Sequence, residues 1–386
     1  MGARLTVNDR LQRSGGAVDL FGKSRFTEDM NLTIFGYPKT GKTTLFNLLT
    51  GAAVEVKAYD DGKKEANQRT CPLPDSRLDR IACLYPDKKK ISASVEVVDL
   101  AGISYGDVKT TAFLSALRLA DGLVHVIRGF IDPQIPHPKG RISPRDDLAF
   151  MEEELILADL VSVSARLEKL ERDLRKVKDP EGEKEKELLC LFRAALEEGK
   201  PIRELSFSGT AEKRVRSFAF LSQKPLLHLV NVDETDIPLI KSPQEIYSVR
   251  KARTDILAFC GKVEAEILEL EEEEKKVFLA EYGLNELSSE KFYRTIPGLL
   301  GTISFFTIGK NEVRAWSIPE NSEAGQAAGA IHSDIERGFI RAEVIPWGRL
   351  LELGSWQAAK DKGAIRLEGK DYIVQDGDVI YFRFAA

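Results

Sequence analysis

The sequence predicts an α/β protein: a mostly parallel sheet covered on both faces, interrupted by a helical hairpin and followed by a small strand-rich domain. Three observations predict it. Short apolar runs at 31–35, 94–100, 123–127 and 226–230 are separated by stretches long enough for helical crossovers. A heptad stripe occupies the middle of the chain. From residue 302 onward the pattern becomes short alternating stretches broken by Gly and Asp.

Composition sets the outer bounds. The chain has 386 residues and a mass of 43.0 kDa, which at about 150 residues per domain implies two or three domains. Lys plus Arg number 56 and Asp plus Glu 61, a formal charge of −5. That excludes a globally basic nucleic-acid binder but leaves room for a local basic patch. Cys71, Cys83, Cys190 and Cys260 form no CxxC pair, and the only histidines are His125, His137, His228 and His332. A disulfide framework or a His-rich metal site is therefore not expected. No apolar run is long enough to cross a membrane, and residues 1–25 lack a secretory apolar core. The expectation is a cytoplasmic monomer.

Taken in order, residues 1–28 read as an extension or first helix, broken at Ser14, Gly15 and Gly16. The strand at 31–35 enters a glycine-containing turn at 36–43, and 44–49 continues as a helix. Residues 58–70 are polar and expected to be mobile. A strand at 94–100 carries Asp99, a helix spans 109–120, and buried strands follow at 123–127 and 226–230. Between these last two lie Ile156, Leu160, Val163, Leu167, Leu170, Leu174 and Val177, at alternating spacings of four and three. This a/d stripe, flanked by Glu, Lys and Arg, predicts an antiparallel helical hairpin broken at 179–182, with Leu189, Phe192 and Leu196 on its second helix. The resulting division is an extension at 1–28, a first α/β segment at 29–145, the hairpin at 146–200, a second α/β segment at 201–301, and a last domain at 302–386.

The chemistry sits at the turn. Gly36, Tyr37, Pro38, Lys39, Thr40, Gly41, Lys42 and Thr43 fit G-x-x-x-x-G-K-T, between a strand and a helix that begins at Thr44. Glycines let backbone N–H groups wrap a β-phosphate, and the helix N-terminus adds its dipole. Lys42 is expected to bridge β- and γ-phosphates, and the Thr43 hydroxyl to ligate Mg²⁺. Asp99 and Gly102 form D-x-x-G at the end of a second core strand. Asp99 can hold the Mg²⁺ through water, and the Gly102 N–H can report the γ-phosphate. Asn231, Val232 and Glu234 lie at another strand end, where a base-recognition loop belongs. Guanine recognition uses N-K-x-D; Val232 removes the lysine stem that covers the base, and Glu234 moves the carboxylate. Guanine specificity is weakened, and the residues alone leave the base undecided. Cys260 and Gly261, followed by Lys262, would back the base from another loop. His125 lies inside an apolar strand and reads as a satisfied core histidine.

At this point the chain resembles the YchF/Obg-like ATPase family of the TRAFAC GTPase class, from about residue 31 to 384. The P-loop carries part of that resemblance, with Pro74, Asp75, Arg77, Leu78 and Asp79 in a PDxRLD segment. Glu154 to Leu160 resembles the opening of the family coiled coil, and Asn231 with Glu234 its N-x-x-E base loop. Phe305, Phe306, Trp316, His332, Gly338, Glu343, Tyr372 and Asp378 fall in segments similar to its C-terminal TGS domain. The resemblance implies a P-loop NTPase with a Rossmann-like sheet, an inserted hairpin and a β-grasp (TGS) domain. It also implies ATP favoured over GTP, slow hydrolysis and a ribosome or RNA partner. The chain departs from the family in three places. Lys39 stands where the family has Asn, the N-Y-P-F-x-T stretch before Pro74 is missing, and the glycine-rich segment after Gly102 is trimmed. Ile103 occupies the place where Ras-type enzymes carry a water-orienting Gln. Nucleotide binding is thus better supported than turnover, and a non-hydrolysing nucleotide-gated module or a TGS-based RNA factor are the alternatives. Lys88, Lys89, Lys90, Arg141, Arg145, Arg314, Arg337 and Arg341 are the candidate basic residues for an RNA face.

Overall fold

A computed structural model describes residues 30–54, 66–100, 111–135, 137, 140–207, 215, 217–247 and 252–385. The extension expected at 1–28, together with Gly102, Ile103 and the trimmed segment beyond, lies outside the described residues.

The first sheet runs in the order β2-β4-β1-β5-β6-β7. Its strands are β1 (Met30–Phe35), β4 (Ser94–Asp99), β5 (Gly122–Gly129), β6 (Leu226–Val232) and β7 (Thr254–Phe259), all parallel to their neighbours. Antiparallel β2 (Asn67–Pro72) closes one edge. The tail of the polar stretch expected to be mobile is therefore a ladder strand: Asn67 to Thr70 pair with Asp99 to Glu96. Edge strands tolerate such polar composition because one face of the strand stays wet.

β5 and β6 are buried almost along their whole length, and largely apolar, because helices cover both faces. On one face Leu32, Ile34, Val97, Leu227 and Leu257 meet Leu45, Phe46, Phe292 and Ile296. On the other, Phe35, Leu123 and Leu226 meet Leu117, Met151 and Leu155. Each such side chain contributes about 1.5–3 kcal/mol on burial.

The hairpin consists of helices Pro144–Leu174 and Pro180–Glu197. Both begin with Pro, whose fixed φ and missing N–H suit a first helical position, and the second is capped by Asp179 accepting from the Glu181 N–H. At 1.5 Å per residue the first helix is about 46 Å long. Ile156, Val163 and Leu167 pack on Leu189, Phe192 and Leu196, as the heptad spacing requires. Val177 does not join the stripe: the helix stops at Leu174, and Val177 is 67% exposed. Nor is the first helix free along its length. Its first turns, through Met151 and Leu155, lie on the sheet, and Ile202, Phe218 and Phe220 wrap the far side of Phe192.

The second sheet runs β11-β10-β12-β8-β9-β3. Strands β8 (Thr302–Ile308), β9 (Glu312–Pro319), β10 (Phe339–Pro346), β11 (Arg366–Glu368) and β12 (Asp378–Phe384) match the alternating stretches of the C-terminal sequence. β12 lies parallel to β8 and antiparallel to β10, the β-grasp arrangement. Its edge strand β3 (Lys89–Ile91) comes from the first third of the chain and pairs parallel with β9. The helix before it, Ser76–Cys83, buries Leu78 and Ile81 against Phe306, Val313 and Val379. Arg77 joins the Asp75 carboxylate at 2.8 Å to Asp376 at 2.6 Å. The excursion between β2 and β4 is thus built into the C-terminal sheet.

Candidate nucleotide site

The P-loop leaves the buried end of β1 and turns through residues that sequence alone assigns to it. Gly36 has φ 146°, and a Cβ there would lie 2.4 Å from the Val126 carbonyl oxygen. Gly41 has φ 97°, and a Cβ there would meet the Asn231 amide at 2.3 Å. Both positions therefore exclude any side chain. Helix Lys42–Thr50 starts immediately after Gly41, with its first N–H groups unpaired within the helix. Lys39 is exposed and adopts φ 59°, a left-handed conformation that the expected Asn takes more readily.

The buried Lys42 ammonium donates to the Tyr37 carbonyl at 2.7 Å, and the Thr40 hydroxyl donates to the same oxygen at 3.1 Å. The loop is thereby closed on itself. The Tyr37 ring is buried edge-on to His137, 6.3 Å between centroids. Pro38 is half-buried beside it.

Thr43 and Asp99 meet at the strand end. The Thr43 hydroxyl donates to Asp99 Oδ2 at 2.8 Å, and Asn67 of β2 donates to that oxygen at 3.4 Å. Asp99 Oδ1 is buried and has no hydrogen-bond partner among the described residues. Burial pushes the Asp99 pKa up, while the Thr43 hydroxyl, the Lys42 charge and Asn67 pull it back. A buried carboxylate oxygen without a partner is costly unless a cation or water completes it. A hydroxyl and one carboxylate are hard oxygen donors of the kind Mg²⁺ takes beside nucleotide phosphates. Among the described residues no cluster of three or more His, Cys, Asp or Glu offers an alternative metal site.

One side chain ties the loop at 231–234, the candidate base end, to the P-loop. The buried Asn231 donates through Nδ2 to the Thr40 carbonyl at 3.2 Å and accepts through Oδ1 from the Gly261 N–H at 3.0 Å. Thr44, at the start of the P-loop helix, is half-buried. The Val232 side chain is buried with Ile127, Val230, Cys260 and Val263. The Cys260 thiol lies in the same apolar cluster, and burial raises its pKa. Glu234 is exposed and begins the 3-10 helix Glu234–Ile240, which Asp233 caps by accepting from the Glu234 N–H at 2.8 Å. Its carboxylate accepts from Tyr282 at 2.9 Å and lies 3.6 Å from the Lys262 ammonium.

Sequence reasoning missed Asn67, Tyr282 and the excursion into the second sheet. Only the polar character of 66–70 hinted at the first. His125 is buried as expected but not satisfied. Its Nδ1 faces His228 Nδ1 at 3.1 Å across paired strands, and its Nε2 has no partner among the described residues. Burial and the neighbouring His228 hold its pKa well below the ordinary value. The basic candidates do not gather as one set: Lys88, Lys89 and Lys90 lie beside Arg314 along the β3–β9 pair, away from Arg341 on β10. Lys88 donates to the Gly309 carbonyl at 2.5 Å, Lys90 pairs with Asp79 at 2.6 Å, Arg141 with Asp146 and Arg337 with Asp334, while Arg314 covers Trp316 at 4.2 Å. Lys89 sits on β3 and Arg341 on β10, at opposite sides of the second sheet.

Known proteins resemble this chain over most of its length. A family profile described as "50S ribosome-binding GTPase" matches residues 31–163, and the YchF GTPase C-terminal profile, described as "Protein of unknown function (DUF933)", matches residues 302–385. The ribosome-binding ATPase YchF of Bacillus subtilis is 39% identical over 359 residues, spanning 91% of this chain and 98% of that protein. Obg-like ATPase 1 of Oryza sativa subsp. japonica is 34% identical over 370 residues, 93% of each chain. The solved structure of the Schizosaccharomyces pombe YchF GTPase superposes with a TM-score of 0.77 at 26% identity, covering 92% of this chain and 98% of that one. Among the described residues no helix is long and apolar enough to cross a membrane. With the P-loop, its facing carboxylate and the C-terminal β-grasp sheet in place, the chain belongs to the YchF/Obg-like family of P-loop nucleotide hydrolases.

Proposed function

We propose that the chain is a Mg²⁺-dependent nucleotide switch that binds ATP, hydrolyses it slowly and acts on the ribosome in the cytoplasm. The observation that carries this reading is the junction of Lys42, Thr43 and Asp99, where a buried ammonium, a hydroxyl and a carboxylate oxygen with no partner among the described residues gather at one strand end. In the proposal the backbone from Gly36 to Thr43 wraps the polyphosphate and Lys42 leaves the Tyr37 carbonyl to bridge the β- and γ-phosphates. Thr43 and Asp99 hold Mg²⁺, and Gly102 reports the γ-phosphate. When bound there, Mg²⁺ would supply positive charge against the phosphate oxygens.

Preference for ATP follows from the base end. Val232 is buried where a guanine reader needs a lysine stem across the base, and the Glu234 carboxylate is engaged by Tyr282. Slow turnover follows from Ile103, which cannot orient a water as Gln does. The ribosome enters because the bacterial relatives are named ribosome-binding ATPases and the chain spans nearly all of their length. Calorimetric titration with ATP, GTP and ADP plus Mg²⁺ tests the nucleotide half. Single-turnover phosphate release with and without ribosomes tests the partner. Equal rates in both would remove the ribosome from the proposal, and no phosphate release in either would reduce the chain to a nucleotide-gated binder.

A further inference from the structure

The geometry points to Tyr282 as a specificity-determining residue that lies outside the base-loop motif: its hydroxyl engages the Glu234 carboxylate, withholds it from guanine, and so biases the site toward adenine. The inference rests on the reading of 231–234 as the base loop.

Guanine presents two adjacent donors, N1–H and the N2 amino group, and a carboxylate reads it only by offering both oxygens. Here one oxygen is hydrogen-bonded and the other lies at ion-pair distance from a lysine. Glu234 Oε1 accepts from the Tyr282 hydroxyl at 2.9 Å, and Oε2 lies 3.6 Å from Lys262 Nζ. Adenine lacks the N1–H and N2 donors and makes no such demand. Releasing the carboxylate therefore costs GTP binding and leaves ATP binding untouched.

The clasp comes from elements the base loop does not contain. Lys262 is in the first turn of helix Gly261–Leu268, and Tyr282 caps the C-terminal end of the next helix, Glu272–Glu281. The Tyr282 ring packs on the cluster that buries Val232, Ile237 and Leu284, so its hydroxyl is presented from a fixed support. On the other side, the Asp233 cap fixes the Glu234 backbone, while the second Asp233 oxygen accepts from the Ile131 N–H at 3.3 Å. Carboxylate and phenol are thus held from two independently anchored elements, which favours a positioned contact over a chance surface pair.

The test uses the full chain with Mg²⁺, titrated calorimetrically with ATP and with GTP in four forms: unsubstituted, Y282F, E234A and Y282F/E234A. Phe keeps the ring on its cluster and removes only the hydroxyl. Y282F is expected to tighten GTP binding by about threefold to tenfold, the value of one net hydrogen bond, and to leave ATP within twofold. The gain must vanish in the E234A background. A clasp that merely stabilises the loop would change both nucleotides equally, and an unmoved ATP-to-GTP ratio overturns the inference. So does a GTP gain that persists without Glu234. Photolabelling with 8-azido-ATP separates this failure from that of the underlying reading. Label on the peptides carrying 231–234 or 260–262 with an unmoved ratio removes Tyr282 alone. Label elsewhere removes the base-loop reading and the Tyr282 role with it.

Discussion

The phosphate end and the base end of the site lie one side chain apart and are built on different principles. At the phosphate end the side chains of Lys42, Thr43 and Asp99 are set on a rigid backbone frame: two glycines that admit no Cβ, a carbonyl that parks the lysine, and a helix start. At the base end the working parts are side chains brought together from three elements, the exposed Glu234 and Lys262 and the half-buried Tyr282. The difference teaches where change is tolerated. Backbone cradles fix a ligand class and fail as a whole, whereas side-chain clasps can be retuned one residue at a time.

The largest effect should follow Lys42→Ala. Two charge-assisted contacts at about 1.5–3 kcal/mol each amount to at least a hundredfold loss of affinity for ATP and GTP alike. Calorimetry reads the affinity, and a thermal melt checks that the loop survives without its closing bond. If GTP alone suffered, the two ends would not be separable in this way.

The next effect belongs to the base end and is pH-dependent. Glu264, in the helix that follows Gly261, is buried and accepts from the Ser288 N–H at 3.0 Å and from its hydroxyl at 2.6 Å. Burial lifts its pKa from 4.5 to about 7, although the Ser288 bonds pull the other way. The folded chain therefore holds a proton that the unfolded chain has released. Stability falls as pH rises from about 4.5 to 7 and levels off above, by about 3 kcal/mol from this group. Glu264→Gln should remove that slope, so urea melts of the two forms should diverge with rising pH in favour of the variant. A constant difference from pH 5 to pH 7.5 would mean that Glu264 does not titrate in this window.

The two ends also differ in how far the sequence discloses them. Gly36 to Thr43, the strand feeding them and Asp99 are contiguous signals, because a phosphate cradle needs fixed residue types at fixed spacing. The hairpin was legible through its heptads as far as Leu174, since a/d spacing reports a seam directly. Tyr282 and Asn67 carried no such signal. Each acts through a contact more than 30 positions away in sequence, Tyr282 on Glu234 and Asn67 on Asp99. Strand β3 was invisible for a related reason. Its three residues, Lys89, Lys90 and Ile91, show no alternation long enough to read, and its pairing with β9 is fixed by Leu78 and Ile81 anchoring the preceding helix.

Asn231 belongs to both ends, and its loss sharpens the contrast between them. Asn231→Ala strands the Gly261 N–H and removes a donor from the Thr40 carbonyl, which should cost about 2 kcal/mol of stability. It should weaken ATP and GTP together, through the P-loop, without changing their ratio. A changed ratio would give Asn231 a direct part in reading the base.

Lys39 offers the smallest and most discriminating change. Its φ of 59° is a strain for Lys that Asn tolerates better. On backbone grounds Lys39→Asn should stabilise the loop by somewhat under about 1 kcal/mol, or raise the melting temperature by roughly 1–3 °C. The same change removes an exposed cation from the proposed phosphate loop, which should weaken nucleotide binding about twofold to threefold at low salt and less at high salt. The two effects have opposite signs on different readouts. A melt that rises while affinity falls assigns strain to the backbone and attraction to the charge. An affinity that rises with the melt would show that loop order, and not the extra cation, governs what the phosphate end binds.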